Sequence, residues 1–452
     1  MRDLKEITIA EVAMMLQKKE ISVKELTQEY IKHIKIFDQG EHGLNSVLEL
    51  NPEAMELAKD LDEQLTNNKN ILFGIPILLK DNIDTADQMH TSAGSLALAD
   101  SKALADAEIV KGLRAKGALI IGKTNMTEFA NYMTKGMPAG YSSRGGTVYS
   151  PYHREKSPSG SSTGSAVAVT ANLCTASLGT DTSGSIISPA IKNGIVGFRP
   201  SIGALNQKGI IPISFTCDSA GPMTRTVSDA AIIFMELTGI PINLYHSQAE
   251  QNPLTIGINE YELKDLSGQD AKKAEAIIKT LKKEGFTLKR IHIEPMPIEN
   301  IKQIERYEFK FALNRYLGKL PNNYPIRSLK DIIEFNDQNR EKALKYGQTL
   351  LIDAEENTIG DLSESEYKEL LLDREHRKKS VMEALRGYDV SIFFKENMIL
   401  QYTGMPIITI PHGLNNDGMP YGISMTSFND TDLLKNALRI EQIIGNRVPP
   451  KV

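Results

Sequence analysis

The sequence predicts an α/β fold, and three observations carry that prediction. Gly74-Ile75-Pro76-Ile77-Leu78-Leu79 is an apolar run too short for a helix and bounded by Gly and Pro, which reads as a buried strand. Ala118-Leu119-Ile120-Ile121 is a second run of the same kind. Between them, residues 105–116 read as a crossover helix, and strand, helix, strand in that order argues for a sheet with helical connections rather than a sandwich or a bundle.

The first 40 residues are expected to form two amphipathic helices. Thr8-Ile9-Ala10-Glu11 and Ser22-Val23-Lys24-Glu25 each fit a capping box, in which a hydroxyl and a carboxylate satisfy free backbone N–H groups. Apolar residues follow at helical spacing, Ile9, Val12 and Leu16 in one and Val23, Leu26 and Ile31 in the other. A third helix after Asn51-Pro52 carries Ala54, Leu57, Ala58 and Leu61. Residues 156–230 are rich in Gly, Ser and Thr yet hold many small apolar residues, a texture that suits tight backbone packing around a site. A strand at residues 254–258 and a helix over 270–284 follow. Residues 300–386 are charged, poor in Gly and read as a peripheral helical layer. Strands return at 407–410 and 421–425, and a helix over 431–444 ends the pattern; no internal repeat is visible.

Composition narrows the function classes. The chain of 452 residues is 41% hydrophobic and 24% charged, as in ordinary globular proteins, and its net charge of −5 offers no basic excess for nucleic acid. Two cysteines, Cys174 and Cys217, are too few for a disulfide framework or a metal cage and read as buried thiols. Met1-Arg2-Asp3-Leu4-Lys5-Glu6 lacks the apolar core of a signal peptide, and no run approaches the roughly 18 apolar residues of a membrane span. A cytoplasmic location is therefore expected, with no membrane and no nucleic acid as partner.

Two motifs suggest other chemistry. Gly117-Ala118-Leu119-Ile120-Ile121-Gly122-Lys123-Thr124 satisfies the phosphate-loop pattern, but that mechanism needs a loop where this sequence has a strand-forming stretch. Gly160-Ser161-Ser162-Thr163-Gly164 satisfies G-x-S-x-G with Ser162 as nucleophile, yet the elbow needs an apolar strand before it. The preceding His153-Arg154-Glu155-Lys156-Ser157-Pro158 is charged, and neither His376 nor His412 has a local pattern marking it as the base.

A third constellation is more coherent. Lys80 follows the apolar run at 74–79, where burial disfavours its charged form unless it is paired. It reads either as a lysine satisfied by Asp81 or by solvent, or as a neutral amine able to accept a proton. Ser159-Gly160-Ser161-Ser162-Thr163-Gly164-Ser165 leads into Ala166-Val167-Ala168-Val169, the start of a helix or strand; Gly179-Thr180-Asp181-Thr182-Ser183-Gly184-Ser185 forms another small-residue turn. With Lys80 these stretches supply what a serine nucleophile needs without histidine: a base, a hydroxyl relay and a turn of free N–H groups.

Taken together, Gly74-Ile75-Pro76 with Lys80-Asp81-Asn82, Gly122-Lys123-Thr124-Asn125-Met126-Thr127-Glu128-Phe129-Ala130, the serine block at 157–166 and the turn at 179–185 resemble the amidase-signature enzymes in order and spacing. Gly197-Phe198-Arg199-Pro200, residues 221–229, Gly404-Met405-Pro406 and Gly418-Met419-Pro420-Tyr421-Gly422 extend the likeness, which is dense over 8–235, thin over 245–390 and moderate over 390–445. The resemblance implies one amidase-signature domain over the whole chain, with its signature core at about 70–235 and a variable helical segment at about 300–386. It implies a large mixed β-sheet flanked by helices on both faces. It also implies hydrolysis of an amide to a carboxylic acid and ammonia or amine, by a Ser-cisSer-Lys triad and without metal or organic cofactor. Ser185 would be the nucleophile, Ser161 the bridging serine on a cis peptide after Gly160, and Lys80 the base. Backbone N–H groups of Thr182, Ser183, Gly184 and Ser185 would form the oxyanion hole, and Met126, Ser159, Gly160 and Asp181 would contact a small amide substrate.

The sequence departs from the family at two places. Ser183 stands where glycine is usual, a strained choice if the turn needs a positive φ, and Ile187 stands where arginine is often found. Asp181 would then take Arg199 or Arg225 as its partner. Tyr307, Phe309 and Phe311 read either as pocket lining or, preferably, as helix core. Three alternatives accompany this reading: the glutaminase-type subunit of a tRNA-dependent amidotransferase, an esterase, and a non-catalytic protein on the same fold.

Overall fold

The computed structural model describes residues 4–65, 70–244 and 253–451; the first three residues of the N-terminal stretch read for a leader lie outside them. Thirteen strands are described: β1 Val47–Leu50, β2 Pro76–Lys80, β3 Leu119–Thr124, β4 Tyr141–Ser142, β5 Gly146–Thr147, β6 Ala176–Asp181, β7 Val196–Arg199, β8 Ser219–Thr224, β9 Thr255–Asn259, β10 Thr287–Ile291, β11 Val390–Phe393, β12 Ile407–Leu414 and β13 Pro420–Thr426. Eleven of them form one sheet in the order β1-β3-β2-β6-β8-β7-β12-β13-β11-β9-β10, and β4 and β5 make a separate hairpin. The pairs β2/β3, β2/β6, β9/β10 and β9/β11 are parallel and the others antiparallel, which gives the mixed sheet that was expected. Every residue of β2, β3 and β6 is buried, as parallel strands covered on both faces require.

The two N-terminal helices, α1 (Ile9–Gln17) and α2 (Val23–His33), start at the capping boxes read from the sequence. Thr8 N–H donates to Glu11 at 2.8 Å and Glu11 N–H to Thr8 Oγ1 at 3.2 Å, and Ser22 and Glu25 repeat the exchange. A π-helical turn over Ile34–Asp38 ends α2 and aims the Asp38 carboxylate at the N–H groups of Ser46 and Val47, at 2.7 and 2.8 Å, which starts β1. The helices α3 (Ala54–Gln64) and α4 (Glu108–Ala115) follow, α4 being the expected crossover. Next come α5 (Thr163–Thr170), α6 (Ile187–Lys192), α7 (Val227–Thr238), α8 (Glu260–Asp265) and α9 (Gly268–Lys283). Here α5 lies across β1, β2, β3, β6 and β8, α6 covers β7, β12 and β13, and α7 packs on β7 and β8.

The stretch read as a helical layer contains α10 (Ile298–Leu317), α11 (Leu329–Gln338), α12 (Arg340–Ala343), α13 (Thr349–Glu356) and α14 (Ser365–Leu385). The closing elements add α15 (Met398–Thr403) and α16 (Asp430–Ile444). A large core follows the sheet, and a second cluster joins Met126, Phe129 and Tyr132 to Phe309 and Leu313 of α10. The Phe309 ring sits 4.2 Å from Tyr132 and 6.2 Å from Phe129, so it is helix core. Tyr307 lies against Tyr367, and Phe311 meets the half-exposed Phe215. Among the described residues no helix is long and apolar enough to cross a membrane.

The position of α5 depends on one close approach. A Cβ at Gly164 would lie 2.3 Å from the carbonyl oxygens of Asn125 and Ser46, and both are backbone atoms that cannot rotate away. Gly164→Ala is expected to destabilise the protein by about 1–3 kcal/mol, the usual cost of overpacking. A denaturant midpoint unchanged from wild type would refute this account of the helix's seat.

Candidate active site

The parallel pairing of β2 with β6 sets Leu79 against Leu178 and brings the carboxyl ends of both strands to one edge of the sheet. Lys80, the last residue of β2, therefore faces Thr180, next to last in β6. This is the end of a strand pair where open α/β sheets place their sites. Lys80 is fully buried. Its Nζ lies 2.8 Å from Ser161 Oγ, 2.8 Å from Thr180 Oγ1 and 3.2 Å from the Thr180 carbonyl. Burial pushes its pKa down to about 7, against the opposing pull of Asp181 and Asp218. Among the described residues no carboxylate forms a salt bridge with it. Asp81, the partner considered from sequence, instead binds Arg144, Ser92 and the Gly94 N–H.

Ser161 is delivered by the loop before α5. The Gly160–Ser161 peptide is cis. Gly160 has no room for a side chain, since a Cβ there would lie 2.5 Å from Thr127 Oγ1 and 2.9 Å from Thr163 Oγ1. Thr127 N–H donates to the Ser161 carbonyl at 3.1 Å. Ser162 stitches the loop to the sheet: its Oγ donates to the Thr180 carbonyl at 3.0 Å and accepts the Thr180 N–H at 3.2 Å. A fully buried hydroxyl engaged in this way is no elbow nucleophile. The histidines confirm the point: His412 Nδ1 meets the Ile444 carbonyl, and His376 lines a separate cleft with His292 and Arg377. Lys123, in the phosphate-loop pattern, lies in β3 with its Nζ bonded to the Ile83 carbonyl and Thr91 Oγ1.

Ser185 belongs to the turn between β6 and α6, and its carbonyl accepts the Ser162 N–H at 3.1 Å, which brings it beside Ser161. Asp181 organises this turn from within. Its Oδ1 accepts the Gly184 N–H at 3.0 Å, and its Oδ2 accepts those of Ile186 at 2.7 Å and Ile187 at 3.3 Å. Arg199 Nε pairs with Asp181 Oδ1 at 3.2 Å inside the protein. Arg225 is occupied elsewhere, by the carbonyls of Ile7, Val169, Cys174 and Thr175. Two of the sequence expectations change here. The positive φ of the turn falls on Gly184, at 100°, so Ser183 carries no such strain. The Gly184 N–H is spent on Asp181, so it is not free for an oxyanion, whereas those of Thr182, Ser183 and Ser185 have no acceptor among the described residues.

The expected substrate contacts are spread differently. Ser159, with φ 63°, lines a cleft of about 450 Å³ together with Ser188, Glu396 and Tyr421. Asp181 and the Met126 side chain are fully buried and cannot touch a ligand through their side chains. Thr180 and Asp218 were given no role by the sequence reading. Thr180 stood inside a quoted motif, but only strand pairing shows that it faces Lys80. Asp218 binds Thr182 Oγ1 at 2.6 Å across 36 residues of chain, and no local pattern announces that. Cys174 and Cys217 are buried free thiols, both pushed up to about 12 by burial. No group of three or more His, Cys, Asp or Glu among the described residues is placed to hold a metal ion.

The chain is similar to known proteins over most of its length. The Amidase family model matches residues 25–394. An Arabidopsis thaliana protein described as a probable amidase is 35% identical, over 99% of this chain and 92% of its own. The crystal structure of an amidase family protein from Bacillus anthracis superposes with a TM-score of 0.91 at 35% identity, covering 100% of this chain and 93% of that one. A peptide amidase from Stenotrophomonas maltophilia gives 0.89 at 32% identity, covering 99% of each chain. Matched over most of its length by the family model and over nearly all of it by a relative at this identity, the chain belongs to the amidase family.

Proposed function

We propose that the protein hydrolyses linear carboxamides through an acyl-serine intermediate, with Ser185 as nucleophile, Ser161 as proton carrier and Lys80 as base. The observation that carries this reading is the buried, unpaired amine of Lys80 at 2.8 Å from Ser161 Oγ. A neutral amine has two N–H groups and one lone pair. The Thr180 carbonyl and Thr180 Oγ1 take the two donors, which leaves the lone pair for the Ser161 hydroxyl proton.

Lys80 accepts a proton from Ser161, and Ser161 accepts one from Ser185 as Ser185 Oγ attacks the carbonyl carbon. No hydrogen bond joins the two serine hydroxyls in the free site; such contacts often tighten only with substrate bound. The developing oxyanion is received by the N–H groups of Thr182, Ser183 and Ser185. Ser161 then passes its proton to the leaving nitrogen and regains one from Lys80, and the amine departs. Water, giving its proton through Ser161 to Lys80, attacks the ester; that proton returns through Ser161 to Ser185 as the acid is released. The cleft beside Ser159 has the volume of a small-molecule site, and the Met126 contribution would come from its main chain. The full-length likeness to a peptide amidase makes peptide amides the first substrates to test. We further propose that the chain acts as one catalytic unit. The two reduced, buried thiols suit a cytoplasmic enzyme.

The purified protein, offered a panel of linear carboxamides and peptide amides, should release ammonia and acid in equal amounts. Ser185→Ala and Lys80→Ala should each lower kcat by about four to six orders of magnitude, as loss of one member of a catalytic unit does. Fluorophosphonate should label Ser185 and fail to label the Lys80→Ala variant; label found on Ser162 instead would sink the assignment. Because the base is the neutral form and Lys80 titrates at about 7, kcat/KM should rise with pH through about 7 and level off above it. A flat profile between pH 5 and 9 would exclude Lys80 as the base.

A further inference from the structure

The turn that carries Ser185 is held from two sides. Asp181 grips it from within through three N–H groups. On the outer side Thr182 Oγ1 donates to Asp218 Oδ1 at 2.6 Å, and the other oxygen of Asp218 accepts the N–H groups of Ile213 and Ser214 at 2.9 and 3.0 Å. Asp218 thus closes the loop before β8 upon itself and fastens it to the first residue of the turn. The same loop is moored at its far side to the helical layer. Glu308 of α10 accepts Ser214 Oγ at 2.5 Å, the Thr216 N–H at 3.1 Å and the Thr216 hydroxyl, and also takes the Tyr367 hydroxyl of α14 at 2.7 Å. The buried Glu308, the partly buried Asp218 and one short loop therefore connect the variable helices to the donors of the site.

We propose that Asp218 is a positioning residue for the hydrolytic reaction: it sets where Thr182, and with it the free N–H groups of the turn, stand relative to Ser185, and it is the point through which the helical layer acts on the site. The inference rests on the assignment of Ser185 and Lys80 above. Asp218 is partly buried, and its three donors all come from the backbone or side chains of the two segments it joins. Its charge also reaches Lys80. The charged groups facing this region are Asp181 and Asp218 toward Lys80, Arg199 paired with Asp181, and Glu305 of α10 toward Asp218. Burial pushes Asp218 itself up to about 7, so its charge supports the ammonium form of Lys80 chiefly above that pH; removing the charge should let the amine lose its proton at lower pH.

The test is steady-state kinetics against pH on a carboxamide the wild type turns over. Asp218→Asn keeps the size and one acceptor but removes the charge. It should lower kcat by about 10- to 100-fold, the scale of a misplaced reacting group, with KM little changed. Its acid limb of kcat/KM should move to lower pH, which a merely loosened fold would not do. Thr182→Val removes the hydroxyl alone and should also lower kcat, and it keeps the proposal testable if Asp218→Asn does not fold. A folded Asp218→Asn enzyme with wild-type kcat, or one whose acid limb stays in place, would overturn the proposal, as would unchanged kcat in Thr182→Val. Full turnover in Ser185→Ala would instead mean that the assignment beneath it has failed.

Discussion

A lysine buried at the carboxyl end of a central strand is the constraint around which this molecule is arranged. Charge in such a place is costly, and among the described residues no carboxylate forms a salt bridge with Lys80, while Asp181 and Asp218 act on it only from a distance. The protein answers with three oxygens within hydrogen-bond reach of the amine, one from Ser161 and two from Thr180. Those oxygens must come from chain segments far apart in sequence. The loop at 159–162 is therefore stitched to β6 by both hydrogen bonds of Ser162, and β6 is held beside β2 by parallel pairing. Loss of the first attachment would take Ser161 from the amine, and loss of the second would take Thr180.

The serine turn obeys a related rule, that a tight turn with several N–H groups pointing the same way needs an internal acceptor. Asp181 fills that place, and its own charge is met by Arg199 rather than by an arginine at position 187. Arg199 is itself held by the carbonyls of Met405 and Cys217, so the segments leading into β12 and β8 support the turn. A buried ion pair of this kind adds little to stability by itself, but removal of one partner leaves an uncompensated charge. Ile187, where the family often has arginine, contributes its N–H to Asp181 and its side chain to the core. The departure is thus absorbed by a partner from β7.

The helical layer has a second core of its own, centred on Phe309, and reaches the site through polar contacts made by Glu308 and Tyr367. The two parts meet different demands: residues near the sheet ends must satisfy a fixed set of hydrogen bonds, whereas most of the helical cover packs through its apolar inner face.

Much of this was legible in the residues themselves. Capping boxes, short apolar runs and the crossover helix are local patterns, and each helix or strand they announced is present because local hydrogen bonding and burial period decide it. Ordered motifs pointed to the family, which the full-length relatives bear out. Tertiary structure decided which arginine meets Asp181, that the Gly184 N–H turns inward, that Thr180 faces Lys80, and that Asp218 reaches Thr182. Each of these is a contact between segments whose separation in sequence carries no information about distance. A buried polar group takes whichever partner the packed sheet brings within about 3 Å, and only the folded chain settles which one that is.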